Sequence, residues 1–168
     1  TVRMSYVWPQ GKLFGADIET RLGFAGYAQA KPEFDAGPVH VTQSYSDTFP
    51  GATVAPVLLG WHSKTLHQIA GVQFFVPTRN YRGGGALNVS TGFAAASPVY
   101  FLTWFPDEKV EVDAAAFYMF NGKNRETNYR SGQEFSVDYA AGYNVNPVAQ
   151  VGINGYVYRQ TTDDTLDG

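Results

Sequence analysis

Apolar and polar side chains alternate with a period of two along almost the whole chain, as strands require when their two faces meet different surroundings. In residues 12–27, Phe14, Ala16, Ile18, Leu22 and Phe24 fall on one face and Asp17, Glu19 and Arg21 on the other. Residues 110–120 set Val110, Val112, Ala114, Ala116, Tyr118 and Phe120 against Glu111 and Asp113. Residues 133–143 set Phe135, Val137, Tyr139, Ala141 and Tyr143 against Glu134, Ser136 and Asp138, and residues 148–158 set Val151, Ile153 and Val157 against Gln150, Asn154 and Tyr156. Shorter runs cover 1–8, 54–62, 67–76 and 99–105. The pattern predicts about eight strands, each near the length that crosses a bilayer at a tilt.

The connections sort by length. Pro9-Gln10-Gly11, Ser63-Lys64-Thr65, Pro106-Asp107-Glu108-Lys109 and Asn144-Val145-Asn146-Pro147 read as short turns. Polar stretches at 29–51, 78–97 and 121–131, and another beginning after Gln160, read as long loops. Short and long take turns, which is the layout of an antiparallel up-and-down transmembrane β-barrel. Sandwiches with Greek-key crossings have no reason to sort their loops in this way. The expected fold is therefore all-β, one outer-membrane barrel domain over 1–168. The charge-free stretch 83–106 holds a glycine triplet, Asn88, Ser97 and Pro98 and lacks a 3.6-residue period, so it is not a membrane helix.

Trp8, Trp61 and Trp104 precede the first three short turns, and Phe105 and Tyr143 flank short turns too. All five would sit at one end of the array, as an interfacial girdle requires. If the apolar face meets lipid, then Asp17, Glu19, Arg21, Glu111, Asp113, Glu134 and Asp138 line the lumen. They would form either an ion-pair network that rigidifies the barrel or a lining that selects solutes.

Composition fits this reading. Charged residues are 16% of the 168, aromatics 15%, and Gly numbers 18. A mean hydropathy of −0.23 is the average of an apolar and a polar face. The net charge of −3 gives no electrostatic reason to expect nucleic acid. The absence of Cys excludes disulfides, thiol catalysis and thiolate metal sites. The chain opens Thr1-Val2-Arg3 with no signal-peptide pattern, as a processed protein or a piece of a longer one would.

Residues 121–143 read NGKNRETNYRSGQEFSVDYAAGY and residues 155–164 GYVYRQTTDD. The loop residues Asn121, Asn124, Thr127, Tyr129, Ser131 and Gly132, the strand carrying Asp138, and the stretch from Tyr156 to Asp164 resemble the SphA-like outer-membrane transporter family. Its members are associated with the meta-cleavage pathway of phenol degradation. Pro56, Leu58, Gly60, Trp61, Val76-Pro77-Thr78 and Tyr81 are similar in order and spacing, so the resemblance spans roughly 52–168. It implies a bacterial outer-membrane barrel that helps hydrophobic or aromatic compounds enter passively, in contact with membrane lipid and lipopolysaccharide. It implies no catalytic residue and no cofactor. Such barrels end on a strand with a terminal aromatic, whereas this chain ends Asp163-Asp164-Thr165-Leu166-Asp167-Gly168. The expectation is a chain truncated before its last hairpins. The alternative is a complete eight-stranded barrel filled by its own side chains.

Other chemistry is weaker. His62 and His67 could meet across a hairpin, but no third metal ligand is evident. His40, His62 and His67 lack a glycine-flanked nucleophile. The spacing of Glu111 and Asp113 follows from alternation alone. Gly83, Gly84 and Gly85 after Arg79 and Arg82 lack a phosphate-loop Lys, and Asn88-Val89-Ser90 has no use in an outer membrane. The acidic tail from Asp163 to Asp167 reads as a solvated loop more readily than as a Ca²⁺ site. The chain reads as a non-enzyme. Two further classes stay open: a structural or adhesive barrel with a packed lumen, and a water-soluble lipocalin-like barrel with its apolar face inward.

Overall fold

The computed structural model describes residues 2–24, 27–30, 33–36, 39–42, 45–48, 51–77 and 91–166, with backbone alone in the strands between 27 and 48. Its elements are β1 Val2–Leu13, β2 Ala16–Phe24, β3 Tyr27–Ala30, β4 Glu33–Ala36, β5 Val39–Thr42, β6 Tyr45–Thr48, β7 Gly51–His62, β8 Leu66–Pro77, β9 Ala95–Trp104, β10 Val110–Asn121, β11 Tyr129–Arg130, β12 Glu134–Asn146, β13 Ala149–Gln160 and β14 Thr165–Leu166. The eight long strands form one antiparallel sheet in the order β1-β2-β7-β8-β9-β10-β12-β13. Each long strand lies beside the next in the chain, so the sheet is an up-and-down meander. Among the described pairings, β1 and β13 are its two edges. Among the described residues no helix is long and apolar enough to cross a membrane.

Two expectations change. The first short turn is at Phe14 and Gly15, both with positive φ (52° and 76°), and β1 runs straight through Pro9-Gln10-Gly11. The register between β1 and β2 shifts from Val7 to Lys12, and this irregular segment of an edge strand absorbs Pro9, which has no N–H to give a ladder. Phe14 is therefore a turn residue, 83% exposed, and not part of the apolar face. The stretch 29–51 is also not a plain loop. It contains two nested pairs, β3 with β6 and β4 with β5. Segments such as Val39-His40-Val41-Thr42 carry the β-branched residues that favour strands. The arginines at 79 and 82, the glycine triplet, Thr78, Tyr81 and the Asn88 tripeptide lie outside the described residues, as does the side chain of His40.

Register turns the alternation into two chemically different faces. One row across the sheet reads Ile18, Leu59, Ala70, Tyr100, Ala116, Val137, Val157. The adjacent row, one residue along, reads Asp17, Gly60, Ile69, Phe101, Ala115, Asp138, Tyr156. A slip of one residue would exchange the faces, so the clean separation fixes the pairing.

The small core lies on the polar face. Ala55, Leu58 and Val99 are buried there, with Ile69, Phe101 and Phe117 packed against them. Phe101 and Phe117 meet edge-on at 5.6 Å, and the Arg21 guanidinium lies over the Phe101 ring at 5.8 Å. Gly71 makes this packing possible: a Cβ there would come within 2.6 Å of the Val57 carbonyl oxygen and 3.2 Å of the Leu58 Cα. The apolar face, by contrast, is left uncovered. Met4, Phe74, Trp104, Tyr143 and Ile153 are among many large apolar side chains exposed on it. A run of exposed apolar surface on this scale calls for a partner other than water.

Candidate functional site

All seven charged residues expected in a lumen share the polar face by register. Near the first short turn, Asp17 pairs with Lys12 at 2.6 Å. Further along β2, Arg21 clamps Glu19 with Nε to Oε1 at 2.9 Å and Nη2 to Oε2 at 3.0 Å, in a half-buried setting that favours this bidentate form. Asp113 accepts a 2.6 Å bond from the Thr103 hydroxyl, and Glu111 accepts one from Gln150 Nε2 at 3.1 Å. Asp138 lines a hollow of about 520 Å³ over β9, β10, β12 and β13, together with Asp113, Ala115, Asn154 and Tyr156. Most of the face is thus tied to neighbours, and Asp138 faces this hollow beside Asp113.

The aromatic positions divide. Trp61 donates from Nε1 to the Phe14 carbonyl at 3.2 Å, which fixes it beside the first short turn. The Phe105 N–H donates to the Thr65 carbonyl at 2.7 Å, and Trp104 and Tyr143 lie on the apolar face at the same end. Trp8 does not sit beside a short turn, because the turn expected at Pro9 is absent. Its Nε1 donates to Thr20 Oγ1 at 3.1 Å, well up the strand pair. His62 and His67 face each other with Nδ1 atoms 3.0 Å apart, and no group of three or more His, Asp and Glu that could hold a metal occurs among the described residues.

At the long-connection end, the loop between β10 and β12 folds against the segment after β13. Asn121 Nδ2 donates both to the Gly132 carbonyl (2.8 Å) and to Glu134 Oε1 (2.7 Å). Asn124 Nδ2 donates to the Thr91 carbonyl at 3.1 Å, while its Oδ1 receives the Glu126 N–H at 3.0 Å, turning the loop at its start. Thr127 Oγ1 receives the Tyr129 N–H at 3.4 Å. β11 pairs with β14, joining the two segments.

Asp164 ties this cap together, although the sequence pattern alone places it in a solvated tail. Its Oδ2 accepts the Tyr129 hydroxyl at 2.5 Å; its Oδ1 accepts the Gly132 N–H (2.8 Å) and Gln160 Nε2 (2.9 Å). The contacts to Tyr129 and Gly132 span 35 and 32 residues of chain, so no local spacing announces them. Gly132 is required here, since a Cβ would meet the Thr162 carbonyl oxygen. The Tyr129 hydroxyl, with the Gly132 N–H after it, holds the Asp164 carboxyl below the usual carboxylate range. The same bond raises the Tyr129 hydroxyl above its ordinary value.

A carboxyl group depressed in the folded state stabilises above its unfolded value and loses that stabilisation as pH falls through the folded one. A raised tyrosine stabilises below its unfolded value and fails as pH rises through the folded one. Amide protection in residues 129–133 and 160–166, taken relative to the intrinsic exchange rate at each pH, is accordingly expected to be greatest at neutral pH and to fall in acid and in alkali. Asp164→Asn should abolish the acid limb, and an unchanged acid limb would place the coupling elsewhere.

Beneath this cap is a second hollow of about 520 Å³, bounded by Thr53 and Gly51 of β7, Phe75 and Pro77 of β8, Phe93 and Ala95, Met119 and Asn121 of β10, and Glu134. Asn121 is 7% exposed, and its Oδ1 has no hydrogen-bond partner among the described residues. Because both amide hydrogens are taken by acceptors, the amide cannot be flipped to satisfy it. An orphaned buried acceptor costs about 1–3 kcal/mol.

No curated protein sequence and no solved structure matches the chain. A protein family described as "Putative MetA-pathway of phenol degradation" matches residues 3–168. That range takes in all eight strands of the sheet but for Val2, the capping loops and the hollow beneath them, and the chain belongs to this family.

Proposed function

We propose that the protein is a bacterial outer-membrane β-barrel, or the larger part of one, that lets small hydrophobic or aromatic compounds through passively and catalyses no reaction. The observation that carries this reading is the inverted distribution of side chains: apolar rows exposed, charged rows on the face that holds the core. A cationic side chain facing hydrocarbon near the midplane costs about 2–4 kcal/mol, so only the apolar face can meet lipid. The phenol-degradation family supplies the class of solute. On this reading its contacts are membrane lipid and lipopolysaccharide, with no role for nucleic acid. A lipocalin-like barrel needs the opposite arrangement, with the apolar rows around the ligand.

A packed, non-conducting barrel has one observation in its favour, the cluster of Leu58, Val99 and Phe117 on the inner face. Liposome swelling separates the two. Refolded protein in liposomes is expected to speed the entry of phenol-sized solutes over protein-free vesicles; a folded protein without flux would leave the packed-barrel reading standing.

A further inference from the structure

His62 closes β7, His67 stands near the start of β8, and the two are cross-strand partners beside the short turn. The Ser63 N–H donates to the Leu66 carbonyl at 2.8 Å. The next pair out, His62 with His67, is therefore a non-hydrogen-bonded one, where facing side chains come closest. Ser63 Oγ pins the turn by receiving the Leu66 N–H at 3.0 Å, and the Phe105 ring meets His67 edge-on at 6.0 Å. From these fixed positions the two Nδ1 atoms lie 3.0 Å apart.

Two imidazole nitrogens at that separation suit a single cation. With metal–nitrogen bonds of about 2.0–2.1 Å they subtend about 95° at the ion, the cis angle of a square-planar or octahedral centre and tighter than a tetrahedral one. The surroundings favour positive charge. Gly60, beneath the His62 ring, pairs with Asp17 of β2, and Thr103, the partner of His67 on β9, donates to Asp113. Lys12, the cation beside Asp17, is spent on that carboxylate at 2.6 Å.

We propose that His62 and His67 form a metal site that binds one Cu²⁺ through both Nδ1 atoms, with water in the remaining positions. A small turn of each ring aims both lone pairs at the ion, and each ring keeps its proton on Nε2, so no net proton is released. Copper is favoured because it takes tetragonal sites of nitrogen and oxygen ligands and stands highest in the affinity order of the divalent metals. With two protein ligands the site is exchangeable and not structural, in keeping with the lack of a third His, Asp or Glu placed to join them among the described residues. Bound there, the ion bridges β7 to β8 at the end of their hairpin. The site does not depend on the uptake reading.

The test is titration of refolded protein in detergent micelles with Cu²⁺ alone, at neutral pH in a non-coordinating buffer, read by equilibrium dialysis and electron paramagnetic resonance. The wild type is expected to take up one equivalent whose spectrum shows splitting from two nitrogens, and to bind Ni²⁺ and Zn²⁺ more weakly. His62→Gln and His67→Gln should each weaken Cu²⁺ binding by more than about tenfold, since loss of even an outer partner of a liganding imidazole costs that much. His40→Gln, which changes the third histidine, should alter nothing. The wild-type spectrum decides the matter even where a variant fails to fold. A wild-type spectrum without two nitrogens, undiminished binding in a folded His62→Gln or His67→Gln protein, or loss of the site in His40→Gln overturns the proposal.

Discussion

Ala116→Arg is expected to block assembly into a bilayer, while Ala115→Arg, one residue earlier, is expected to fold. The two positions are neighbours in the middle of β10 with the same side chain and the same strand partners, so propensity and loop effects cancel. Ala116 lies in the row with Tyr100 and Val137, on the apolar face. An arginine there would face hydrocarbon, at a cost of about 2–4 kcal/mol. Ala115 lies opposite Asp138 and lines the hollow that also holds Asp113. An arginine there gains carboxylate partners and room for its stem. The measurement is the folded fraction after refolding into lipid vesicles, read by protease protection or gel migration. A soluble barrel with its apolar face inward gives the same order of folding, because the arginine that replaces Ala116 would lie in its apolar interior, but such a protein would not partition into vesicles in either form.

Leu58→Ala is expected to cost about 2–5 kcal/mol, the range for truncating a fully buried leucine. Leu58 is 1% exposed and sits at the centre of the inner cluster, over a glycine that leaves it no slack. Leu59, the next residue, lies on the apolar face, where lipid can fill the space left by truncation. Leu59→Ala should therefore cost clearly less. Denaturant unfolding in lipid, followed by the three tryptophans, reads both. Equal losses would mean that the cluster is loosely packed and contributes little. In liposomes, Leu58→Ala should also raise solute flux if the cluster narrows the path.

Much of the fold is legible in the chain because a two-residue period survives burial, exposure and lipid alike. The contrast between Val112 and Asp113, or Val137 and Asp138, states which face each residue takes before any pairing is known. Turns are less legible. Pro9-Gln10-Gly11 has turn chemistry, but an edge strand tolerates Pro, and the true turn at Phe14 and Gly15 relies on a non-glycine residue at positive φ, which no composition rule favours. That single shift also moves Trp8 away from the short-turn end. The stretch 29–51 reads as loop through its polar residues, although its β-branched residues form paired strands.

The site is only half legible. The loop motif from Asn121 to Gly132 stands out as a pattern, whereas Asp164, which organises it, does not. Its partners Tyr129 and Gly132 are distant in sequence, and neighbouring Asp163 and Thr165 disguise it as solvated tail. The orphaned oxygen of Asn121 depends on two acceptors arriving from another segment, and no local spacing encodes that.

The central claim is that alternate residues of each strand meet lipid and a polar interior. The absence of cysteine allows single-cysteine spin labelling with no background, from residue 112 to residue 119 of β10. In vesicles, labels at 112, 114, 116 and 118 are predicted to collide with dissolved oxygen and to be shielded from a polar nickel chelate. Labels at 113, 115, 117 and 119 should show the opposite. A period of two with the phases exchanged, or uniform access of the nickel chelate to both sets, would contradict the account.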